Sequence, residues 1–265
     1  MGSASRQALV ASREALSALG AKVDVDAASA LFAVGRAIAG STQLSAALAD
    51  ASLDASAKAD LLGKVFGKAL SGTAATLASG IVGERWSNED EMLGGIEEIA
   101  VRAAAIAAGP QASIEAEIFA FSRAVATDAE LELTLGSKLE PSEGKAALAT
   151  ALLKGKAHEA TIVIVASLVA QPRGRRVGAL LAYAAAVVAN QAGASVATVT
   201  SARPLTADQR ASVSKSLSTS YGRDVLVNAE VDESIIGGIR IQVGDDVMDG
   251  TVSSRLNQLR RELVG

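Results

Sequence analysis

The chain has no cysteine. That excludes disulfides, thiolate metal sites and thiol catalysis. Histidine occurs once, at His158, in the polar break Gly155-Lys156-Ala157-His158-Glu159. One imidazole without a thiolate partner does not build a zinc site, and the position reads as a helix start on the surface. Aromatic residues make up 3% of the chain, too few to stack bases along a strand. No Gly-x-x-x-x-Gly-Lys-Ser/Thr loop is present, so the P-loop means of cradling a nucleotide is missing. Hydrophobic runs are short. Ala160 to Ala170 and Val177 to Ala189 fall below the roughly 20 residues that span a bilayer. Arg6 and Arg13 lie near the N-terminus, but polar residues interrupt any signal-peptide core. These features set the expectation of a soluble, cytoplasmic chain with no metal, no cofactor and no catalytic residues.

What is present is alanine, leucine and periodicity. Of 265 residues, 49% are apolar, enough for a core and biased toward closely packed helices. A net charge of −4 does not favour a dedicated nucleic-acid binder. The spacing predicts helices over Ser5–Leu19, Ala27–Ala39, Leu44–Ala49, Ser56–Leu70 and Gly72–Val82. Another follows a cap at Ser87 or Asn88, with acidic residues in its first turn, until Gly109-Pro110 stops it. Further helices are predicted from Ser113, from Pro141, over Glu159–Ala170 and over Arg175–Gln191. After Gly193 the period changes to a small β-α-β-β-α module. It has a capping box at Thr206-Ala-Asp-Gln209 and strands over Ser195–Thr200, Val225–Val231 and Gly238–Val243. The fold class is therefore mainly α with a small α/β part.

The helical part repeats itself. At an offset of 87 residues Phe32 meets Phe119, Arg36 meets Arg123, Lys58 meets Lys145 and Val82 meets Val169. Fixed-period self-similarity is the mark of repeated units. The expected division is a six-helix bundle over 1–110, a second bundle over 111–192 that repeats the first, and the α/β module over 193–265. The helix around Met92 to Ile106 lies 87 residues beyond the first helix, so it is expected to close one bundle and open the next.

The most specific stretch runs from Val225 to Leu256. It reads as a strand, Asp232, Ile235-Ile236, Gly237-Gly238, a strand over Ile239–Val243, Gly244-Asp245, Asp249, then a helix with Thr251-Val252 and Arg255-Leu256. With Ser201-Ala202-Arg203-Pro204-Leu205-Thr206 before it, this ordered set resembles the delta subunit family of F-type ATP synthases, the oligomycin-sensitivity-conferring proteins. The family's N-terminal helical domain resembles the first bundle here, and the second bundle is an addition.

The resemblance implies a non-catalytic stator subunit in the peripheral stalk of a bacterial F-type ATP synthase, at the cytoplasmic face of the membrane. It implies that the first bundle binds the N-terminus of an alpha subunit in a groove between its first and fifth helices. That groove falls on Leu9, Val10, Arg13, Leu16, Leu77 and Ile81. It implies that the C-terminal module binds the C-terminal end of the b subunit, through Leu256, Leu259 and Leu263. Asp232, Gly237, Gly238, Gly244, Asp245, Asp249 and Arg255 are the structural signature. Since the head carries several alpha subunits, two bundles offer a way to hold two of them.

Other features are weaker. Arg173, Arg175 and Arg176 form the one basic cluster, read as a solvated helix start or a contact to an acidic partner. Trp86 reads as a plug at a core edge or an interface residue. Asp245, Asp246 and Asp249 fit turn and cap duties better than a cation site. The competing reading is a free-standing helical adaptor with a small nucleic-acid-binding module, using Arg173 to Arg176 and Arg255 to Arg261.

Overall fold

The computed structural model describes residues 1–244 and 246–256. The chain divides into two compact units, Met1–Val188 and Ala189–Gly265.

The first unit is helical: α1 (Ser3–Leu19), α2 (Val25–Ala39), α3 (Thr42–Ala49), α4 (Ala55–Phe66), α5 (Gly72–Gly83), α6 (Glu89–Ala108), α7 (Ile114–Thr127), α8 (Ala129–Gly136), α9 (Ser142–Leu153), α10 (Glu159–Ala170) and α11 (Val177–Gln191), whose last turn lies past the division. Small polar side chains start many of them. Asp24, Ser41, Asp54, Asn88 and Asp128 each accept a backbone N–H from the first turn that follows, which satisfies a donor the helix cannot. His158 does the same through Nδ1, accepting from Ala160 at 3.1 Å. The three acidic residues of the first turn of α6 face its positive dipole end. Most boundaries fall within a residue or two of the sequence expectation, α8 was not expected, and two further differences have a local cause. The helix from Ser56 gives way to a 3-10 turn over Gly67–Ala69. The helix expected from Arg175 starts at Val177, because the Arg175 N–H closes a turn onto the Pro172 carbonyl.

The core of this unit is continuous. Leu31, Ile38, Leu77, Ile81, Met92, Ile96 and Ile99 are fully buried, and so are Ile118, Leu135 and Ile164. Each such side chain contributes about 1.5–3 kcal/mol relative to exposure. Trp86 closes one edge. Its indole N–H donates to the Ile81 carbonyl at 2.7 Å. Its ring lies on Gly95, where a Cβ would sit 2.1 Å from a ring carbon, so α6 has no room for a side chain there.

The 87-residue offset recurs in the elements. Advanced by 87, the bounds of α3, α4 and α5 fall on those of α8, α9 and α10. Ser41, Asp54 and Ser71 precede the first three; Asp128, Pro141 and His158 precede the second three. Buried positions follow. Ser5, Ala8, Leu9, Ser12 and Leu16 of α1 are matched by Met92, Gly95, Ile96, Ile99 and Ala103 of α6, all buried. α6 packs against α1, α2, α3 and α5, and also against α10.

The second unit contains β1 (Ser195–Ser201), α12 (Ala207–Tyr221), β2 (Val225–Val231), β3 (Ile239–Val243) and β4 (Asp246–Asp249). The sheet order is β2-β1-β3-β4, with β1 parallel to β2 and the other pairs antiparallel. Ala197, Leu217, Val225 and Val243 form its small core. The Thr206–Gln209 capping box starts α12. β4 was not expected. Asp246 and Asp249 read as turn and cap, but Asp246 through Asp249 pair with Val243 back to Arg240 along the free edge of β3. Residues 252–256 are helical.

Candidate partner-binding surfaces

The residues expected to line the first groove separate into two groups. Leu16, Leu77 and Ile81 are fully buried, and Leu9 nearly so; they support the surface of the bundle from beneath. Val10 stands out from α1 at 51% exposure. Arg13 is half-buried and engaged, its guanidinium donating to Glu98 Oε1 at 2.9 and 2.6 Å. Along the outer face of α1, Ser3, Arg6, Gln7, Val10, Ala11 and Glu14 line an open depression of about 410 Å³.

α6 carries charge where a helix interior usually has none. Glu97, Glu98 and Arg102 are buried. Glu98 accepts from Arg102 Nε at 2.8 Å as well as from Arg13. Glu97 holds Arg175 in a two-pronged pair at 2.8 and 2.6 Å, and the Arg175 guanidinium lies 5.5 Å over the Tyr183 ring. Burial pushes the Tyr183 phenol above its ordinary range, and the carboxylates of Glu98 and Glu97 add to that. Arg173 donates to the Asp90 carbonyl at 2.5 Å. The basic cluster is thus neither a solvated helix start nor a free cationic patch. Arg173 and Arg175 are bound to α6, and only Arg176 is exposed. A partner 78 residues away in sequence left no local signal.

In the second unit the signature residues pin the start of the last helical segment. The Asp232 N–H donates to the Ser201 carbonyl, and its carboxylate accepts from Ser234 at 2.9 Å. The Gly237 carbonyl accepts from Val252 at 2.9 Å. Gly238 has φ +83°, and a Cβ there would meet the Gly250 carbonyl oxygen at 2.4 Å; no other residue type fits. Gly244 turns the chain between β3 and β4. Asp249 accepts from the Thr251 N–H at 2.9 Å, pairs with Arg240 at 3.8 Å, and is held below the usual carboxylate range by Thr251. The Arg255 N–H donates to the Thr251 carbonyl. Asp245 lies outside the described residues.

Of the three leucines expected to meet a stalk, Leu256 is 59% exposed; Leu259 and Leu263 lie outside the described residues. Ile236, Val247, Met248 and Val252 are exposed apolar side chains of the same unit. Sequence reasoning missed Val247 and Met248 because it had no strand there. Ile236 was legible as one of an apolar pair, of which only Ile235 is buried.

The chain thus pairs a helical unit that carries an open depression along α1 with a small α/β unit that exposes apolar side chains. Residues 99–263 match the family model for the ATP synthase delta (OSCP) subunit. "ATP synthase subunit delta" of Leifsonia xyli is 49% identical over 265 residues, covering 100% of both chains. The protein of that name from Streptomyces griseus is 37% identical, again over 100% of both. The one from Acidothermus cellulolyticus is 35% identical over 99% of each. A chain in the solved Toxoplasma gondii mitochondrial ATP synthase hexamer aligns with 64% of this chain and 97% of its own at 20% identity, with a TM-score of 0.39. The chain belongs to the ATP synthase delta (OSCP) subunit family.

Proposed function

We propose that this chain is a peripheral-stalk subunit of a bacterial F-type ATP synthase, joining the alpha subunits of the catalytic head to the b-subunit stalk. The observation that carries this is a family relationship spanning the whole chain, at 49% identity with an ATP synthase subunit delta. The role is mechanical. A stator must resist torque, which calls for packed helices and broad contacts rather than titrating groups. The continuous core of the first unit suits that demand.

The finer assignments are part of the same reading. The alpha N-terminus meets the α1–α5 face, with Val10 as the exposed apolar contact. The b-subunit end meets the apolar side chains of the second unit, Leu256 among them. Residues 1–110 and 111–192 are two copies of one helical domain, and 193–265 is the stalk module. On this reading the chain sits at the cytoplasmic face of the membrane as a peripheral subunit; among the described residues no helix is long and apolar enough to cross one. The nucleic-acid alternative is not favoured, since two of its arginines are already paired within the chain.

Gel filtration with catalytic heads tests this reading, before and after proteolytic removal of the alpha N-terminus. Co-migration that is lost on clipping is expected. Co-migration that survives clipping moves the head contact elsewhere. No co-migration with intact heads removes the stalk assignment.

A further inference from the structure

The two helical copies differ in what covers their first helix. On α1, Arg6, Gln7, Val10, Glu14 and Ser17 are exposed. Their counterparts 87 residues on are Leu93, Gly94, Glu97, Val101 and Ala104 of α6, and every one is buried or half-buried. Val10 is 51% exposed, and Glu97 is 8%. The main covering element is α2, which packs on α6 and also reaches α10, while Arg173 lies over Gly94 and Arg175 pairs with Glu97.

That position matters because α6 and α10 are the counterparts of α1 and α5. Leu31, Phe32 and Gly35 of α2 face Leu93 and Ile96 of α6 and Leu168 of α10. The approach is close: a Cβ on Gly35 would lie 3.3 Å from Ile96 Cγ2. The space left between the three helices is about 20 Å³, room for roughly one water. The α5 and α10 counterparts repeat the contrast. Gly80 is exposed, whereas Ser167, its partner at the same offset, is half-buried.

We infer that the second copy's groove is closed by the chain's own α2, and that one chain therefore takes one alpha-subunit N-terminal helix, on the α1–α5 face. This rests on the alpha contact proposed above. It replaces the expectation that two bundles hold two alpha N-termini. The internal arrangement also defines the occupant of the open groove. On the equivalent face the chain seats an amphipathic helix, apolar side inward, with Gly35 at a close approach to Ile96. At the same offset, the counterparts of Ile96 and Leu168 on the α1–α5 face are the buried Leu9 and Ile81. An amphipathic helix laid into it is an ordinary mode of recognition.

Calorimetry of the whole chain with a synthetic alpha N-terminal peptide tests this. The expected stoichiometry is one. Val10→Asp puts a charge on the groove wall and is expected to weaken binding about 10-fold or more. Gly80→Arg fills the groove from the α5 side at an exposed position with nothing within 4 Å, and arginine favours the helix more than glycine does. It is expected to weaken binding at least as much, with circular dichroism unchanged. Two peptides per chain, or a site that persists in both variants, overturns the inference and leaves the alpha contact standing. No binding to the unaltered chain overturns the alpha contact itself.

Discussion

α1 and α6 occupy the same place in the 87-residue pattern and have opposite fates. Each buries the same five positions against its own bundle. α1 then ends in solvent on its other side. α6 is packed there as well, against α2, and its buried residues run without a break from Gly95 to Ala104. A helix with one partner is amphipathic; a helix with two is apolar or paired nearly all round. The comparison explains why Glu97 and Glu98 of α6 are both paired. Positions that α1 fills with Val10 and Ala11, at the surface, fall in α6 inside the protein, where charge persists only when paired. It also accounts for the one continuous core of the helical unit, since α6 packs against α1, α2, α3 and α5 and against α10 as well.

The largest effect expected follows from that sharing. Ile99 is fully buried in α6, and its α1 counterpart is Ser12. Ile99→Ala should cost about 2–5 kcal/mol by leaving a cavity. It should lower the stability of both copies together, seen as one transition in denaturant and as matched loss of hydrogen-exchange protection in α2 and α10. Ser12→Ala removes only a bond to the Ala8 carbonyl in the previous turn and should change little. Loss of protection confined to one copy after Ile99→Ala would break the claim that α6 serves both.

A smaller effect sharpens the contrast between Glu97 and Val10. Glu97→Gln leaves the Arg175 guanidinium without its carboxylate. Because Arg175 retains 28% side-chain exposure, the cost expected is about 1–3 kcal/mol, below that of stranding a fully buried ion. Val10→Asp, at the same place in α1, should stay within about 0.5 kcal/mol of the unaltered chain. Thermal melts of the two variants read the difference directly. Equal melting temperatures would mean that the covered face of α6 contributes no more than an exposed one.

Much of this was legible in the sequence. Lys58 and Lys145 stand 87 residues apart and are both buried, so the register found from composition-poor residues is the register of the elements. His158 reads as a helix start and serves as one. The capping residues, the strands over Ser195–Ser201 and Val225–Val231, and the role of Gly237-Gly238 follow from local chemistry that acts within a few residues. What was not legible depends on distant partners. The α1 groove residues look like a surface stripe and a core stripe alike until packing separates Val10 from Leu16. Arg175 and Glu97 meet across 78 residues, and α2 covers α6 by tertiary packing that no local period encodes. β4 is a strand only because β3 offers it an edge; Asp246-Val247-Met248-Asp249 has turn residues at both ends.

The smallest effect expected is at the start of the pattern, where the two helices touch. Glu91, in the first turn of α6, accepts from the Gly2 N–H at 3.1 Å through both carboxylate oxygens. The Ser5 hydroxyl, then the Gly2 N–H, hold the Glu91 carboxyl below the usual glutamate range. A depressed carboxylate stabilises the folded state fully above its unfolded pKa and loses that contribution as pH falls through the folded value. The tie between the start of α1 and the start of α6 should therefore be intact at neutral pH and loosen only in acid. Glu91→Gln should melt slightly below the unaltered chain near pH 7, and the gap should close as pH is lowered through the depressed titration of Glu91, below the usual glutamate range. A gap for Glu91→Gln that held constant with pH would mean that Glu91 acts by packing, and that the open end of α1 is tied to α6 by contact rather than by charge.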